Sequence, residues 1–302
     1  MSNNLVYNVD HGFVEAPNST GKAFTNLYIF GNYYHDPQNW DDAANNNHHD
    51  GVHMWAFGAG NSLTHSYVYD NRFYGDFGVN MNSAIYQEAI GANVPACDAW
   101  VFNNLIYPSA GTTGNGYIGL AANGGVGCWS AVNNTIVGYS TTIAGELNFN
   151  GSAGTAYNNI ISTVQTALGV SAAPAAIDNN DYYNLGSGGM TGGGASLATW
   201  VSYCQSNYMS TVGCDAHAIS GNPNLTANFV PNLGSPVISA GKNLFSTCSG
   251  QANPGIGALC FDYVGVARPN SSWDIGAYQY VSPQTGSIVS GNSTTSGAGR
   301  IQ

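Results

Sequence analysis

Short apolar runs recur along the chain, each interrupted by two polar residues of which the second is always asparagine. Ala99-Trp100-Val101-Phe102-Asn103-Asn104-Leu105-Ile106-Tyr107 shows the figure most plainly. It recurs around Gly31-Asn32, Asp70-Asn71, Asn133-Asn134, Asn158-Asn159 and Asn179-Asn180. Aligned on Asn32, Asn71, Asn104, Asn134, Asn159 and Asn180, the repeats are 39, 33, 30, 25 and 21 residues apart. A constant figure with a shrinking period means constant coils joined by loops of decreasing length, the mark of a stacked architecture. A further strand set fills each coil: Gly51–Ala56, Ala84–Ala89, Tyr117–Ala121 and Ala144–Phe149.

Parallel strands cannot be joined by a tight hairpin, so each coil must travel around before it returns. The pattern therefore predicts an all-β fold, a right-handed parallel β-helix built as a single-chain solenoid, with handedness taken from the crossover rule. Asparagine suits the corners because it tolerates positive φ better than most residues. Stacked coil over coil, its amide can also hydrogen-bond along the solenoid. A β-propeller would need antiparallel hairpins with regular turn signals, and those are weak here.

The texture changes at residue 196. Leu197, Trp200, Val201 and Cys204 fall at helical spacing and predict a short helix. Residues 1–195 are read as β-helix coils, with an N-terminal cap and a leader expected before Met1, and residues 196–281 as the last coils and a helix/loop cap. From 282 to 302 Ser and Gly dominate, as in a flexible tail.

Three segments near the end carry a resemblance. Gly234-Ser235-Pro236-Val237-Ile238-Ser239-Ala240-Gly241, Asp262-Tyr263-Val264-Gly265-Val266-Ala267-Arg268-Pro269 and Asp274-Ile275-Gly276-Ala277-Tyr278 resemble the closing series of secreted bacterial right-handed parallel β-helix proteins. That superfamily includes pectate-lyase-like carbohydrate-active enzymes. The resemblance implies the fold, and a carbohydrate as the expected substrate class. Asp262, Arg268 and Asp274 are expected to form an ion-pair cluster closing the last coil.

Charge narrows the partners. The 302 residues carry a formal charge of −11 with only five Lys and Arg. So few cations cannot neutralise a phosphate backbone, which argues against nucleic acid. No run of about 20 apolar residues is present, so no segment predicts membrane insertion. Six Cys in a chain rich in Asn, Gly, Ser and Tyr point to an oxidising, extracellular setting. Proximity pairs Cys204 with Cys214 and Cys248 with Cys260, and coil stacking pairs Cys97 with Cys128. Nothing in the sequence fixes an oligomeric state.

Candidate chemistry concentrates in the long insertion after the first Asn-pair strand. It holds His35, Trp40, Asp41, Asp42, His48, His49, Asp50, His53 and Trp55. Long loops on a rigid scaffold are where function gathers. With Val52, Met54, Ile85 and Gln87 facing in, alternation turns His53, Trp55, Tyr86 and Glu88 outward, and Glu146 with them two coils on. Aromatic rings beside carboxylates suit a sugar polymer. Glycoside hydrolysis needs two carboxyl groups, and Glu88, Asp50 and Glu146 are the candidates. Glu88 is read as the general acid, Asp50 as a well-solvated base or nucleophile on an overhanging turn.

A lyase or epimerase acting on uronates is the alternative, with His53 or Tyr86 as base and Arg72 as the nearest cation for the substrate carboxylate. Trp55, Tyr86, His49, Arg72 and Trp40 are the candidate substrate contacts. A non-catalytic adhesin, glycan binder or surface protein is the third reading. No cofactor is required by any of these. His48, His49 and His53 with Asp50 could bind a transition metal, and Asp41 and Asp42 with carbonyl oxygens a Ca²⁺ ion. No phosphate loop, dinucleotide fingerprint or Ser/Cys nucleophile motif is present.

Overall fold

A computed structural model describes the chain except residues 17–19, 39–47, 56–59, 89–97, 110–118, 124–128, 150–153, 172, 191–195, 209–212 and 283–302. Trp40, Asp41, Asp42, Cys97, Cys128 and the tail from Pro283 lie outside the described residues.

Strands dominate, and the chain visits three sheets in rotation. The first repeat gives β1 (Leu5–Tyr7), β2 (His11–Glu15) and β3 (Ala23–Phe30). The second gives β4 (Tyr33–His35), β5 (His49–Trp55) and β6 (Ser62–Tyr69), the third β7 (Arg72–Gly75), β8 (Met81–Glu88) and β9 (Ala99–Phe102). Next come β10 (Leu105–Pro108), β11 (Leu120–Asn123) and β12 (Trp129–Val132), then β13 (Thr135–Val137), β14 (Leu147–Phe149) and β15 (Thr155–Tyr157). The series ends with β16 (Ile160–Ser162), β17 (Thr166–Val170), β18 (Ala176–Asp178), β19 (Asp181–Tyr183) and β20 (Gly189–Met190). Sheet one runs from β1 through every third strand to β19, sheet two from β2 to β20 and sheet three from β3 to β18. The pairings within these sheets are parallel.

Register stacks like on like. Tyr34, Phe73, Ile106, Ile136, Ile161 and Tyr182 align across sheet one. Val52, Ile85, Leu120, Leu147 and Leu168 align across sheet two. Ile29, Val68, Val101, Ala131, Ala156 and Ile177 align across sheet three. All belong to one buried cluster. Each large aliphatic side chain so buried contributes roughly 1.5–3 kcal/mol, and each relies on its neighbours above and below.

The polar pairs divide their labour. The first member takes the left-handed corner, with φ of 64° at Gly31, 54° at Asp70, Asn103 and Asn133, 58° at Asn158 and 57° at Asn179. The second member forms a ladder. Asn32, Asn71, Asn104, Asn134, Asn159 and Asn180 are each 2% exposed or less. From Asn32 to Asn159 each donates from Nδ2 to Oδ1 of the next at 2.9–3.0 Å. The same Oδ1 accepts the preceding backbone N–H. From Asn71 to Asn159 the second amide proton goes to a carbonyl of sheet three, as from Asn104 to Val68 and from Asn134 to Val101, while that of Asn32 goes to Met1 O. Asn180 ends the ladder on Asp215, which also accepts from Tyr182 and Trp200.

Trp200 belongs to α1 (Leu197–Asn207), the predicted helix, whose N-cap Ser196 accepts from the Thr199 N–H. Disulfides join Cys204 to Cys214 and Cys248 to Cys260, each with Cα atoms 5.5 Å apart, as the spacing predicts. The closing segment docks on the corner residues. Asn179 donates to Ala240 O, Asn158 to Lys242 O, Asn133 to Asp274 O and Gly276 O, and Asn103 to Phe261 O.

The expected ion-pair cluster does not form. Arg268, 2% exposed, donates to Asn103 Oδ1 and to the carbonyls of Gly276 and Ala277. Asp262 instead accepts backbone N–H groups of Val264, Val266 and Gln279, and Asp274 those of Ser239 and Tyr280. Both carboxylates fix local chain turns, which a sequence series cannot distinguish from ion pairing. Among the described residues, no helix is long and apolar enough to cross a membrane.

Candidate metal centre

The site lies on the edge of sheet two formed by β2, β5 and β8. Val52 and Met54 are fully buried and face the core, so His53 and Trp55 lie on the other side, as alternation predicts. Register then brings His53 beside Tyr86 and Trp55 beside Glu88 on β8. Gln87, level with Met54, is 1% exposed and faces in.

Strict alternation fails one step earlier. A Cβ on Gly51 would lie 2.4 Å from the Phe73 ring and 2.5 Å from Ala84 O. Gly51 thus faces the interior, as does Val52, and only glycine fits there. The register between β5 and β8 also shifts between His49 and Asp50. Two consecutive inward positions leave Asp50 and His53 together on the other face. Asp50-Gly51 is therefore strand, not turn. Asp50 is 0% exposed, which corrects the well-solvated, overhanging carboxylate of the sequence reading.

Three imidazoles converge on one oxygen of that carboxylate. His48 Nε2 lies 3.1 Å, His53 Nδ1 3.4 Å and His11 Nε2 3.5 Å from Asp50 Oδ2. One ligand atom from each of the four residues lies within 4.8 Å of the others. None of these approaches is aligned as a hydrogen bond: both Asp50 oxygens, both His53 nitrogens and His48 Nε2 are buried without a hydrogen-bond partner among the described residues. An unsatisfied buried polar group costs about 1–3 kcal/mol, so five in one place call for a reason. Contact with the Asp50 carboxylate raises His11 and His48 above the ordinary imidazole pKa. Burial lowers His53 below it, against the pull of Asp50 and Glu88.

The far ring nitrogens meet other carboxylates. His53 Nε2 lies 3.4 Å from Glu88 Oε2, and His11 Nδ1 2.9 Å from Asp10 Oδ2. His49 points away from the cluster. It is fully buried and shares Asp10 through Nδ1 at 2.6 Å. Glu88 and Asp10 are carboxylates at the solvent edge, with side chains 23% and 31% exposed, and Glu88 Oε1 lies 3.4 Å from the Tyr86 hydroxyl. The Trp55 and Tyr86 rings sit 4.4 and 5.0 Å from the His53 ring.

No family model, curated protein or solved structure matches the chain. The site is therefore read from its own geometry.

Two candidates lie elsewhere. Glu146 accepts from Asn148 Nδ2 at 2.7 Å beside β14, two strands along sheet two from β8, and burial raises its pKa. Arg72 is on sheet one, where its guanidinium lies over the Tyr74 and Tyr107 rings at 5.0 and 5.1 Å and Nε donates to the Tyr107 hydroxyl. It borders a separate cavity of about 440 Å³ with Phe229 and Tyr278. His11 and Asp10 were missed by sequence reasoning. A signal existed: His11-Gly12-Phe13 pairs in register with Asp50-Gly51-Val52. A Cβ on Gly12 would likewise meet an interior ring, that of Tyr34, at 2.7 Å.

Proposed function

We propose that the chain is a secreted right-handed parallel β-helix that acts on a polysaccharide through acid–base chemistry on the outer face of sheet two. Successive parallel strands of each sheet are joined through the other two sheets, and such crossovers are right-handed in nearly all proteins. The two disulfides fit an extracellular setting.

The observation that carries the reading is the continuous contact Asp50–His53–Glu88–Tyr86, with steps of 3.4 Å each. The Asp50 carboxylate behind His53 opposes the burial that otherwise holds the imidazole neutral, as the buried acid of an acid–base triad does. Glu88 stands at the partly exposed end, where it can exchange a proton with a bound sugar, and Trp55, itself partly exposed, offers aromatic surface beside it, backed by the buried Tyr86. Asp50 has no access to substrate, so it acts through His53 and not as a second carboxyl for paired-carboxylate hydrolysis. His53 is 5% exposed with its nitrogens turned to Asp50 and Glu88, so the Tyr86 hydroxyl beside Glu88 takes the partner role, which brings the lyase or epimerase alternative level with hydrolysis.

The test is a panel of neutral and acidic polysaccharides, assayed for new reducing ends and for unsaturated uronates. Glu88→Gln should lower turnover at least about a hundredfold while glycan binding holds. Full activity in Glu88→Gln would move the chemistry elsewhere. Silence of the parent protein across the panel, with glycan binding that depends on Trp55, would make it a binding module.

A further inference from the structure

We propose that His11, His48, Asp50 and His53 bind a single divalent transition-metal ion, of the borderline class that includes Zn²⁺ and Co²⁺. The distances fit such an ion. Zinc bonds nitrogen and carboxylate oxygen at about 2.0–2.1 Å, so neighbouring ligand atoms of a tetrahedron stand roughly 3.3 Å apart. The three nitrogens lie 3.1, 3.4 and 3.5 Å from Asp50 Oδ2. The ligand atoms are also unspent. Among the described residues, Asp50 at 0% and His53 at 5% exposure have no hydrogen bond at any side-chain nitrogen or oxygen, although every one of these atoms is buried.

The surroundings match those of metal-bound imidazole. A ligating histidine usually donates its other ring N–H to a carboxylate, which fixes the tautomer and strengthens the ligand. One of the three imidazoles is so placed: His11 turns Nε2 to Asp50 and hydrogen-bonds Asp10 through Nδ1 at 2.9 Å, while His53 turns Nδ1 to Asp50 and Nε2 toward Glu88 at 3.4 Å without an aligned hydrogen bond. Asp10 is itself held by His49. His11, Asp50 and His53 stand on the adjacent paired strands β2 and β5, a rigid base for a ligand set. Three nitrogens and one oxygen select a borderline ion over Ca²⁺ or Mg²⁺, which prefer all-oxygen shells.

The ion's binding does not depend on any glycan, so it is tested without one. Tag-free full-length protein, stripped with a chelator, is dialysed against Zn²⁺ or Co²⁺ and the bound metal measured by elemental analysis and titration calorimetry. One equivalent per chain is expected, with Co²⁺ giving the visible absorption of a nitrogen-rich, low-coordinate site and Ca²⁺ failing to compete. His11→Ala and His53→Ala should abolish stoichiometric binding. Asp10→Asn and Glu88→Gln, which keep the ligands and the shape, should weaken affinity about 10–100-fold at unchanged stoichiometry. Absence of stoichiometric binding by the parent protein would overturn the proposal. So would binding that survives His11→Ala and His53→Ala together, or binding equally tight in Asp10→Asn and Glu88→Gln.

Discussion

The asparagine ladder and the Asp50–His53 pair of the histidine cluster both bury polar side chains on the repeats, and they are opposites. In the ladder every amide finds its partners: Asn134 gives one proton to Asn159 Oδ1 and the other to Val101 O, and its own Oδ1 accepts two from Asn104. In the cluster Asp50 and His53 are nearly as deeply buried, and among the described residues they make close charge contacts but no hydrogen bond. Closed hydrogen bonding is what a structural polar row needs, because a half-satisfied network is worse than an apolar one. Open valences in a rigid sheet are what a binding site needs. The difference lies in how the partners are supplied, by the next repeat in one case and by a ligand in the other.

Breaking the ladder should have the largest effect. Asn134→Ala leaves the groups that met its amide buried without partners, and should cost about 3–6 kcal/mol in denaturant unfolding. Asn4, at the exposed end, makes the same amide contact with Asn32 at 2.9 Å, yet Asn4→Ala should cost under about 1 kcal/mol because water can replace it. Equal losses at the two positions would remove the distinction between closed and solvated rungs.

Filling the cluster is the next effect in size. Zn²⁺ at 100 times its dissociation constant should stabilise the folded chain by about 2.7 kcal/mol, seen as a rise in melting temperature. Asp50→Asn should lose most of that rise.

A smaller effect comes from two acids that fall outside both rows. Burial pushes Asp181 and Asp70 up to about 8. Between pH 4 and 8 the unfolded chain has shed these protons while the folded chain keeps them, so stability falls as pH rises. The slope should be on the order of 1 kcal/mol per pH unit for each group, measured by unfolding at a series of pH values. Asp181→Asn should reduce the slope and raise stability at pH 8. A slope unchanged by Asp181→Asn would show that the carboxyl is not retained in its neutral form.

Much of the all-β, parallel-sheet architecture was legible in the sequence because its signals are local and repeat. The Asn pairs marked the corners, and Val52, Ile85, Leu120 and Leu147 occupy one register as the aligned apolar runs imply. That His53, Trp55, Tyr86 and Glu88 share the side of sheet two away from Val52 and Met54 followed from alternation alone, but the burial of His53 and Tyr86 did not. Nor did the place of Asp50, because Gly51 and Val52 both face in, and a two-residue period cannot foresee that. His11 escaped because its partners lie 39 residues away in register on Asp50 and its neighbours. Asp262, Arg268 and Asp274 misled because charge in sequence does not reveal whether the partner is another charge or a backbone amide.

The central claim is that the unsatisfied cluster is a ligand set, and X-ray absorption spectroscopy of the zinc-loaded protein examines that most directly. The account predicts a low-coordinate first shell of nitrogen and oxygen at about 2.0–2.1 Å with multiple scattering from three imidazoles, falling to two in His48→Ala. A shell of oxygen alone, or one with no more than a single imidazole, would contradict it.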